Sequence, residues 1–185
     1  MDNGASSYRR FQNGDDNEIV EIIRDYKDGL ILYLNGFVSN IHTAEELMED
    51  TFVKIAIKKP RFSGKSSFKT WLYAIARIVA LDYIRKNKRI KEVSIEDYRE
   101  IIRDEEDLEK AYFKEEQKFL LHKSLRKLNP DYRQVLYLVY FEGFTNDEVA
   151  SVMKKNKRQV ENLIYRAKQS LKVQLDKEGF VYEGL

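Results

Sequence analysis

Residues 145–171 read TNDEVASVMKKNKRQVENLIYRAKQSL, and this stretch decides the fold of the C-terminal part of the chain. Thr145, followed three residues later by Glu148, predicts a capping box that opens a short helix. Asn156 and Gln159 repeat the pattern and open a second helix, whose apolar residues then recur at intervals of three and four. Two short helices joined by a tight turn, the second one basic at its start, are typical of a DNA-binding helix-turn-helix. A helical hairpin that packs for structure alone is the alternative interpretation.

Helical spacing extends upstream through most of the chain. Apolar residues within 19–33 follow steps of three and four. Thr43 and Glu46 predict a capping box for a helix that ends at Pro60, and a further helix spans about residues 68–88. The chain contains only two prolines and eight glycines, whereas an all-β chain needs many turn residues. We therefore predict an all-α fold.

The predicted organisation is two small helical domains joined by an acidic linker, with the helix-turn-helix in the second domain. The linker is placed where acidic, weakly periodic sequence separates two well-patterned regions. The boundaries that we predict are a flexible N-terminus over 1–14, a first domain over 15–91, the linker over 92–107, a second domain over 108–176 and a tail over 177–185.

Charge is strongly segregated along the chain, although the net charge is only +2. Residues 15–50 contain ten acidic and two basic side chains, and residues 51–91 contain one acidic and twelve basic side chains. Residues 92–117 contain eleven acidic and four basic side chains. Such blocks indicate one surface for a polyanion and another surface for a basic partner. Solvated helix faces without a partner are the alternative.

Composition excludes several classes of protein. The absence of cysteine excludes disulfide scaffolds, thiolate metal sites and a cysteine nucleophile. The longest apolar run, residues 135–141, is far shorter than the roughly 20 residues of a membrane span, and the N-terminus shows no secretion signal. His42 and His122 lie far apart in the sequence, without other ligands around them. We expect a cytoplasmic, non-enzymatic protein without metal, cofactor, membrane contact or small-molecule substrate.

Basic and aromatic residues are interleaved between residues 62 and 91. Basic side chains can follow the phosphates of a nucleic acid strand while aromatic rings stack on unpaired bases. Phe62 lies in a polar loop and is our candidate for a base contact, whereas the spacing of Trp71 and Tyr83 favours the core. We predict that this segment binds single-stranded or melting DNA.

Two parts of the sequence resemble one known family. Residues 44–52 (AEELMEDTF), 62–77 (FSGKSSFKTWLYAIAR) and 81–86 (LDYIRK) resemble region two of bacterial extracytoplasmic-function (ECF) sigma factors, a group of the sigma-70 family. Residues 128–171 resemble region four of the same group, and the two regions occur in the family's order. The resemblance implies a promoter-recognition subunit of RNA polymerase that directs transcription initiation.

The resemblance assigns reading of the promoter −35 element, as duplex, to the second helix of the helix-turn-helix. The residues implied there are Lys157, Arg158, Gln159, Glu161, Asn162, Tyr165 and Arg166. Region two would capture the melted non-template strand of the −10 element. The residues implied for that strand are Phe62, Ser63, Lys65, Ser66, Lys69, Arg77, Ile78, Arg85, Lys86 and Arg89.

Four positions depart from the family's usual pattern. Ile78 stands where the family usually has an Asn that helps to read a −10 base. Glu49 replaces a usual Gln, Lys154 replaces the usual Gly of the turn, and Glu161 replaces a frequent basic residue. These departures predict an unusual promoter sequence with the function retained.

The resemblance also implies protein partners. The acidic helix would dock on core RNA polymerase at the clamp of the beta-prime subunit, and region four would contact the flap of the beta subunit. The residues implied for core docking are Glu45, Glu46, Leu47, Glu49 and Asp50. The acidic linker would occupy the basic RNA-exit path, and an anti-sigma factor is a further candidate partner.

Two other functions explain part of the sequence. A helix-turn-helix transcriptional regulator would bind duplex DNA as a dimer without being a polymerase subunit, but it leaves residues 62–91 unexplained. A protein-binding adaptor that uses the same helices would have no DNA affinity at moderate salt, whereas phosphate contacts give a steep salt dependence.

Overall fold

The computed structural model describes residues 3–91 and 116–180, and all regular structure in these ranges is helical. The N-terminal part contains α1 (Asn3–Gln12), α2 (Asn17–Val38), α3 (Ile41–Lys58) and α4 (Phe68–Lys91). The C-terminal part contains α5 (Glu116–Arg126), α6 (Pro130–Leu136), a π-helix (Tyr137–Phe141), α7 (Asn146–Met153) and α8 (Lys157–Lys177). The predicted all-α fold is confirmed for these residues, while the predicted linker, residues 92–107, lies outside them. None of the helices in the two ranges combines the length and apolar character that a membrane crossing requires.

Side-chain caps fix where the helices of the C-terminal part begin. The capping boxes predicted for α7 and α8 are both formed: Thr145 exchanges hydrogen bonds with Glu148, and Asn156 with Gln159. The Asn129 side chain likewise accepts a first-turn N–H of α6. These starts are predictable because each signal joins residues three positions apart and needs no tertiary contact.

Helix α3 begins one turn earlier than predicted. Asn40 caps it, and the Asn40 Oδ1 atom accepts the Thr43 backbone N–H at 2.8 Å. Asn40 has the extended backbone that a cap needs, whereas Thr43 is already inside the helix, so the cap predicted at Thr43 is wrong. The predicted end before Pro60 is confirmed.

A π-helix ends the helical segment that begins at Pro130. The five residues Tyr137–Phe141 form this wider turn, and the rings of Tyr137 and Phe141 stack with their centroids 4.5 Å apart. The chain leaves the turn through Gly143, whose φ of 70° favours glycine. The π-helix and Gly143 therefore end this segment just before Thr145, the residue that caps the first helix of the helix-turn-helix.

The prediction that residues 1–14 are flexible is wrong, because Asn3–Gln12 form helix α1. It packs against α2 and α4, and the Tyr8 ring lies 5.0 Å from Trp71 and 5.5 Å from Phe68 between centroids. Gly4 allows this close approach, because a Cβ there would stand 2.4 Å from the Phe68 ring. The helix is stabilised by these tertiary contacts, which apolar spacing within ten residues does not reveal.

The two helical domains pack against each other. Apolar side chains from both belong to one core cluster, in which α2 contacts α6 and α4 contacts α7. Arg133 of α6 is buried and donates from Nη1 to the Ser39 Oγ atom at 2.8 Å, at the end of α2. The rings of Tyr73 and Phe144 meet edge to face at 5.2 Å. The sequence predicts two domains but contains no signal for this contact between them.

Candidate nucleic-acid interface

The turn of the helix-turn-helix, residues 154–156, has a strained first residue. Lys154 adopts φ 54° and ψ 47°, the left-handed conformation that favours glycine. Its backbone N–H donates to the Ala150 carbonyl and ends α7. Lys155 Nζ lies 3.0 Å from the Asp131 carboxylate of α6, which ties the turn to the rest of the domain. The turn therefore holds its shape although it lacks the glycine usual for it.

Lys154→Gly is expected to stabilise the C-terminal domain. The left-handed conformation costs a residue with a Cβ about 1–2 kcal/mol, whereas glycine costs about 0.5–1 kcal/mol in backbone entropy. We therefore expect urea unfolding to show a gain of up to about 1.5 kcal/mol. Lys168→Gly, within α8, is the control and should lose about 1 kcal/mol. A destabilised Lys154→Gly chain would contradict the argument.

Helix α8 presents an exposed polar face. Five of the residues predicted for −35 reading are exposed and have no side-chain hydrogen bond or ion pair within the described residues. These five are Arg158, Glu161, Asn162, Tyr165 and Arg166. Their spacing of three and four residues puts them on one side of the helix. Tyr165 is 67% exposed, so a large aromatic surface stands in solvent beside the two arginines.

The other two residues predicted for this face have partners. Gln159 completes the cap of α8, where its Oε1 atom accepts the Asn156 N–H at 2.9 Å. Lys157 Nζ lies 3.3 Å from the Asp147 carboxylate of α7. These two side chains therefore hold the motif together, and the five free ones remain available for a ligand.

The loop between α3 and α4 carries four residues predicted to hold a melted strand. Ser63 and Lys65 are exposed, and Ser66 is half-buried. Phe62 is also half-buried, with its ring centroid 5.4 Å from that of Trp71. The Phe62 ring thus belongs partly to the aromatic cluster under α1, and its contact with a base stays a prediction.

Helix α4 directs two of the predicted DNA-binding cations towards the C-terminal domain. Lys69 Nζ donates to the Glu142 carbonyl at 2.8 Å and lies 2.8 Å from the Glu142 carboxylate. Arg77 Nε donates to the Gln134 Oε1 atom at 3.2 Å. In this arrangement a DNA strand would have to displace protein groups from both cations.

The remaining residues predicted on α4 lie apart from this contact. Ile78 is 37% exposed. Arg85 pairs with Asp82 at 2.9 Å, and Lys86 lines a groove between α3 and α4. Arg89 lies in α4, but its side chain is outside the described part of the chain. The structure therefore does not gather all the predicted −10 residues at one place.

Glu148 connects the helix-turn-helix to the start of α4. Its Oε1 atom accepts from Ser67 Oγ at 3.1 Å and from Thr70 Oγ1 at 3.0 Å. Its Oε2 atom accepts from the Thr145 N–H and hydroxyl, both at 3.0 Å. Partial burial disfavours the ionised form, but these hydrogen bonds outweigh burial and hold the pKa of Glu148 below its ordinary value. One carboxylate therefore serves both the capping box and the domain contact.

Acidification is expected to weaken the contact between the domains. The Ser67 and Thr70 bonds to Glu148 are lost when the domains separate, so separation lets its pKa rise towards the ordinary value of 4.5. A carboxyl whose pKa is lowered in the packed form stabilises that form above about pH 4.5, and the stabilisation is lost as the pH falls through the lowered pKa. Energy transfer between a dye on each domain, followed from pH 7 down to about pH 2, measures this separation, and the change is expected below about pH 4.5.

Glu148→Gln is the informative variant for this titration. The glutamine keeps an oxygen that can accept hydrogen bonds but has no charge to lose. The distance between the two dyes should therefore change less with pH in this variant than in the unaltered chain. Glu161→Gln, on the free face of α8, is the matched control. Because the Lys69–Glu142 pair is present in all three chains, identical pH profiles would show that Glu148 does not control the contact.

An acidic face on α3 carries the residues predicted for core docking. Glu46, Glu49 and Asp50 are exposed, and Glu45 is half-buried. Leu47 is only 1% exposed and belongs to the core, so it supports the helix from beneath. Four of the five predicted residues can therefore meet a partner directly.

A groove lined by both apolar and charged side chains adjoins this acidic face and was not predicted. It lies between α3 and α4 and has a volume of about 350 Å³. Val53 and Ile57 on its α3 wall are 52% and 77% exposed. Exposed apolar side chains next to charged ones are typical of protein-binding surfaces. The signal in the sequence is that these two residues, four positions apart, fall outside the buried stripe of α3.

Chemical groups for metal binding are not assembled in the described residues. No group of three or more His, Asp or Glu side chains in residues 3–91 and 116–180 could hold a metal ion. The surfaces described above expose cations, hydroxyls and aromatic rings on α8 and the α3–α4 loop, and carboxylates on α3.

Two family profiles match the chain. The one described as "Sigma-70 region 2" matches residues 22–90, and the one described as "Sigma-70, region 4" matches residues 118–171. The first covers most of α2, all of α3 and nearly all of α4, and the second includes the helix-turn-helix. Helix α1 lies outside both matches.

The chain is similar in sequence to several bacterial sigma factors. It is 26% identical to the ECF RNA polymerase sigma factor SigW of Bacillus subtilis over 175 residues, which cover 90% of this chain and 94% of SigW. It is 29% identical to SigM of the same organism over 156 residues, covering 83% of this chain and 93% of SigM. With the sigma-H factor of Pseudomonas aeruginosa it shares 27% identity, over 88% of each chain.

Two solved structures share the fold. CnrH, in complex with the cytosolic domain of CnrY, superposes with a TM-score of 0.68 at 20% identity, covering 96% of this chain and 99% of CnrH. RpoE of Bartonella quintana, in complex with the anti-sigma factor NepR, superposes with a TM-score of 0.67 at 19% identity, covering 84% of this chain and 95% of RpoE.

Proposed function

We infer how this chain acts from one premise: it belongs to the sigma-70 family, as an ECF-type RNA polymerase sigma factor that directs transcription initiation. Sigma factors of this family are not enzymes, so the chain supplies recognition while the polymerase performs the chemistry. Family membership implies core RNA polymerase and promoter DNA as partners.

We propose that α8 reads the −35 element as duplex DNA. The observation that carries this proposal is the exposed face of α8, on which two arginines, an asparagine and a tyrosine have no partner in the described residues. Arg166 and Asn162 have the donor geometry that suits base edges in the major groove, and Arg158, in the first turn, suits a flanking phosphate.

The loop between α3 and α4 is proposed to capture the non-template strand of the −10 element. Lys65 and Ser63 offer an exposed cation and an exposed hydroxyl, and Phe62 offers part of its ring. Lys69 and Arg77 would join them once the C-terminal domain moves away, because both now bind its residues. Stacking on an aromatic ring contributes about 1–3 kcal/mol per base, which can offset the cost of opening a base pair.

Core polymerase is proposed to dock on the acidic face of α3, at the clamp of the beta-prime subunit. Glu46, Glu49 and Asp50 provide charge, and the adjoining groove provides apolar area through Val53 and Ile57. The same proposal includes a contact between the flap of the beta subunit and the C-terminal domain. It also includes a cytoplasmic location.

An anti-sigma factor is proposed as a further partner. The solved structures of RpoE with NepR and of CnrH with CnrY are complexes. A regulator that covered the α3 face would compete directly with core polymerase, because both would need the same exposed carboxylates.

Transcription in vitro tests the proposed function. The purified chain is combined with bacterial core polymerase on fragmented genomic DNA of the source organism, and RNA 5′ ends are mapped. Discrete starts that need both components, preceded by two shared sequence elements, are expected. Duplex binding without core, together with no starts, would favour a regulator that is not a polymerase subunit. The absence of both starts and DNA binding would favour an adaptor.

A further inference from the structure

Helix α1 holds the start of the loop proposed to capture the melted strand. The Tyr8 hydroxyl donates to the Pro60 carbonyl at 2.7 Å. Gln12 Nε2 lies 3.4 Å from the carbonyl oxygens of both Lys59 and Pro60. Lys59 Nζ in turn donates to the Phe11 carbonyl at 3.4 Å. The point where the chain leaves α3 is therefore fixed to α1, although α1 lies outside the region 2 match.

The orientation of α1 is determined by its buried side. Tyr8 is fully buried, and its ring contacts Phe68 and Trp71 at the start of α4. Gly4 lies so close to the Phe68 ring that no side chain would fit without a shift. The exposed side of α1 that adjoins this buried strip is consequently held at a defined place beside the loop.

Arg9 occupies that exposed side. Its Nη2 atom lies 4.0 Å from the point where a Cβ on Gly64, within the loop, would stand. The neighbouring Arg10 points elsewhere and donates from Nε and Nη2 to the Glu18 carboxylate at 2.6 and 2.8 Å. Arg9 therefore faces the loop, whereas Arg10 braces α1 against α2.

Three uncommitted cations surround this loop. Arg9, Arg61 and Lys65 are exposed, and the side chains of all three lack a hydrogen bond or ion pair within the described residues. Of the carboxylates near α1, Glu18 pairs with Arg10, and Asp16 lies 4.0 Å from Lys59 Nζ. No carboxylate of the described residues pairs with any of these three cations, which leaves all three available to an anion.

We propose that Arg9, presented by α1 beside the loop of residues 61–67, is a phosphate contact for the unpaired non-template strand. The DNA site thus extends beyond region 2 onto the N-terminal helix. A guanidinium can donate two parallel hydrogen bonds to a phosphodiester, and an exposed one is free to do so. This inference rests on the proposed function, because it needs a melted strand at the loop.

Binding of a forked promoter fragment by the assembled holoenzyme tests the proposal. The probe is taken from a mapped start site, and its −10 segment consists of the non-template strand alone. Arg9→Gln is expected to weaken binding by about three- to tenfold and to reduce the slope of log affinity against log salt by about 0.7, the value for one phosphate contact on a single strand. Arg9→Lys should restore most of the slope, which a purely structural role of Arg9 would not require.

Matched variants separate the possible outcomes. Lys27→Gln removes the same charge from an exposed side chain of α2 that has no hydrogen bond or ion pair within the described residues, and it should leave fork binding nearly unchanged, while Lys65→Gln should weaken it. If Lys65→Gln weakens binding and Arg9→Gln does not, the role of Arg9 is overturned and strand capture stands. If the unaltered holoenzyme binds the fork no better than the fully paired fragment, strand capture at the loop fails and the role of Arg9 falls with it.

Discussion

A chain carrying both Glu49→Lys and Asp50→Lys is expected to bind core RNA polymerase about a hundredfold more weakly than the unaltered chain, because like charges placed opposite each other cost several kcal/mol. Both carboxylates are exposed on α3, and neither has a hydrogen bond or ion pair within the described residues. The double substitution therefore leaves the fold intact and reverses the sign of the charge at residues 49 and 50 on the docking surface. Competition for core against a labelled sigma factor measures the loss.

Asp15→Lys with Asp16→Lys is the matched control for this charge reversal. These residues are exposed in the turn between α1 and α2, so the variant changes the net charge by the same amount on the same domain. Its affinity for core should fall only slightly. Equal losses in the two variants would mean that overall charge, and not the α3 face, governs binding. No loss in either would remove the α3 face from the docking site.

Arg166→Ala is expected to lower −35-dependent promoter binding by roughly 5- to 150-fold, the equivalent of about 1–3 kcal/mol for a base-contacting arginine. Arg166 is exposed on α8 and is not needed for the domain fold. Holoenzyme binding to duplex promoter fragments with an intact or a scrambled −35 element separates specific reading from general affinity. The loss should appear only with the intact element.

Lys177→Ala is the control for Arg166→Ala. It removes a positive charge from the same helix about three turns away, where α8 ends. If the first turns of α8 lie in the DNA major groove, Lys177→Ala should change binding little, and by the same amount for both DNA fragments. An Arg166→Ala chain that still distinguishes the two fragments fully would show that other residues of α8 read the element.

The helix-turn-helix was predictable because its signals are local. The caps at Thr145 and Asn156 each involve residues three apart, and the positions of α8 that face solvent follow from helical spacing alone. The exposed arginines and asparagine of the candidate −35 face are accordingly where the sequence places them. Gln159 differs because it serves the cap.

Features that depend on tertiary contact were not predictable in this way. Helix α1 is stabilised because Tyr8 packs against an aromatic cluster that is formed by residues distant in the sequence. Glu148 looks like an ordinary capping residue in the sequence, and nothing there indicates that Ser67 and Thr70 also bind it. The partners of Lys69 and Arg77 are likewise more than fifty positions away. Residues predicted to touch DNA can therefore be occupied by protein in the free chain.

The contact between α4 and α7 has a consequence for apparent affinity. A strand that needs Lys69 and Arg77 can bind only the molecules whose domains are apart, so the measured dissociation constant is the intrinsic one divided by that fraction. A contact of about 2 kcal/mol would leave roughly 3% of molecules open and weaken binding about thirtyfold. A polymerase that holds the two domains apart removes this penalty before DNA arrives. Capture of the −10 strand then becomes a property of the assembled enzyme, whereas the exposed face of α8 is accessible in the free chain as well.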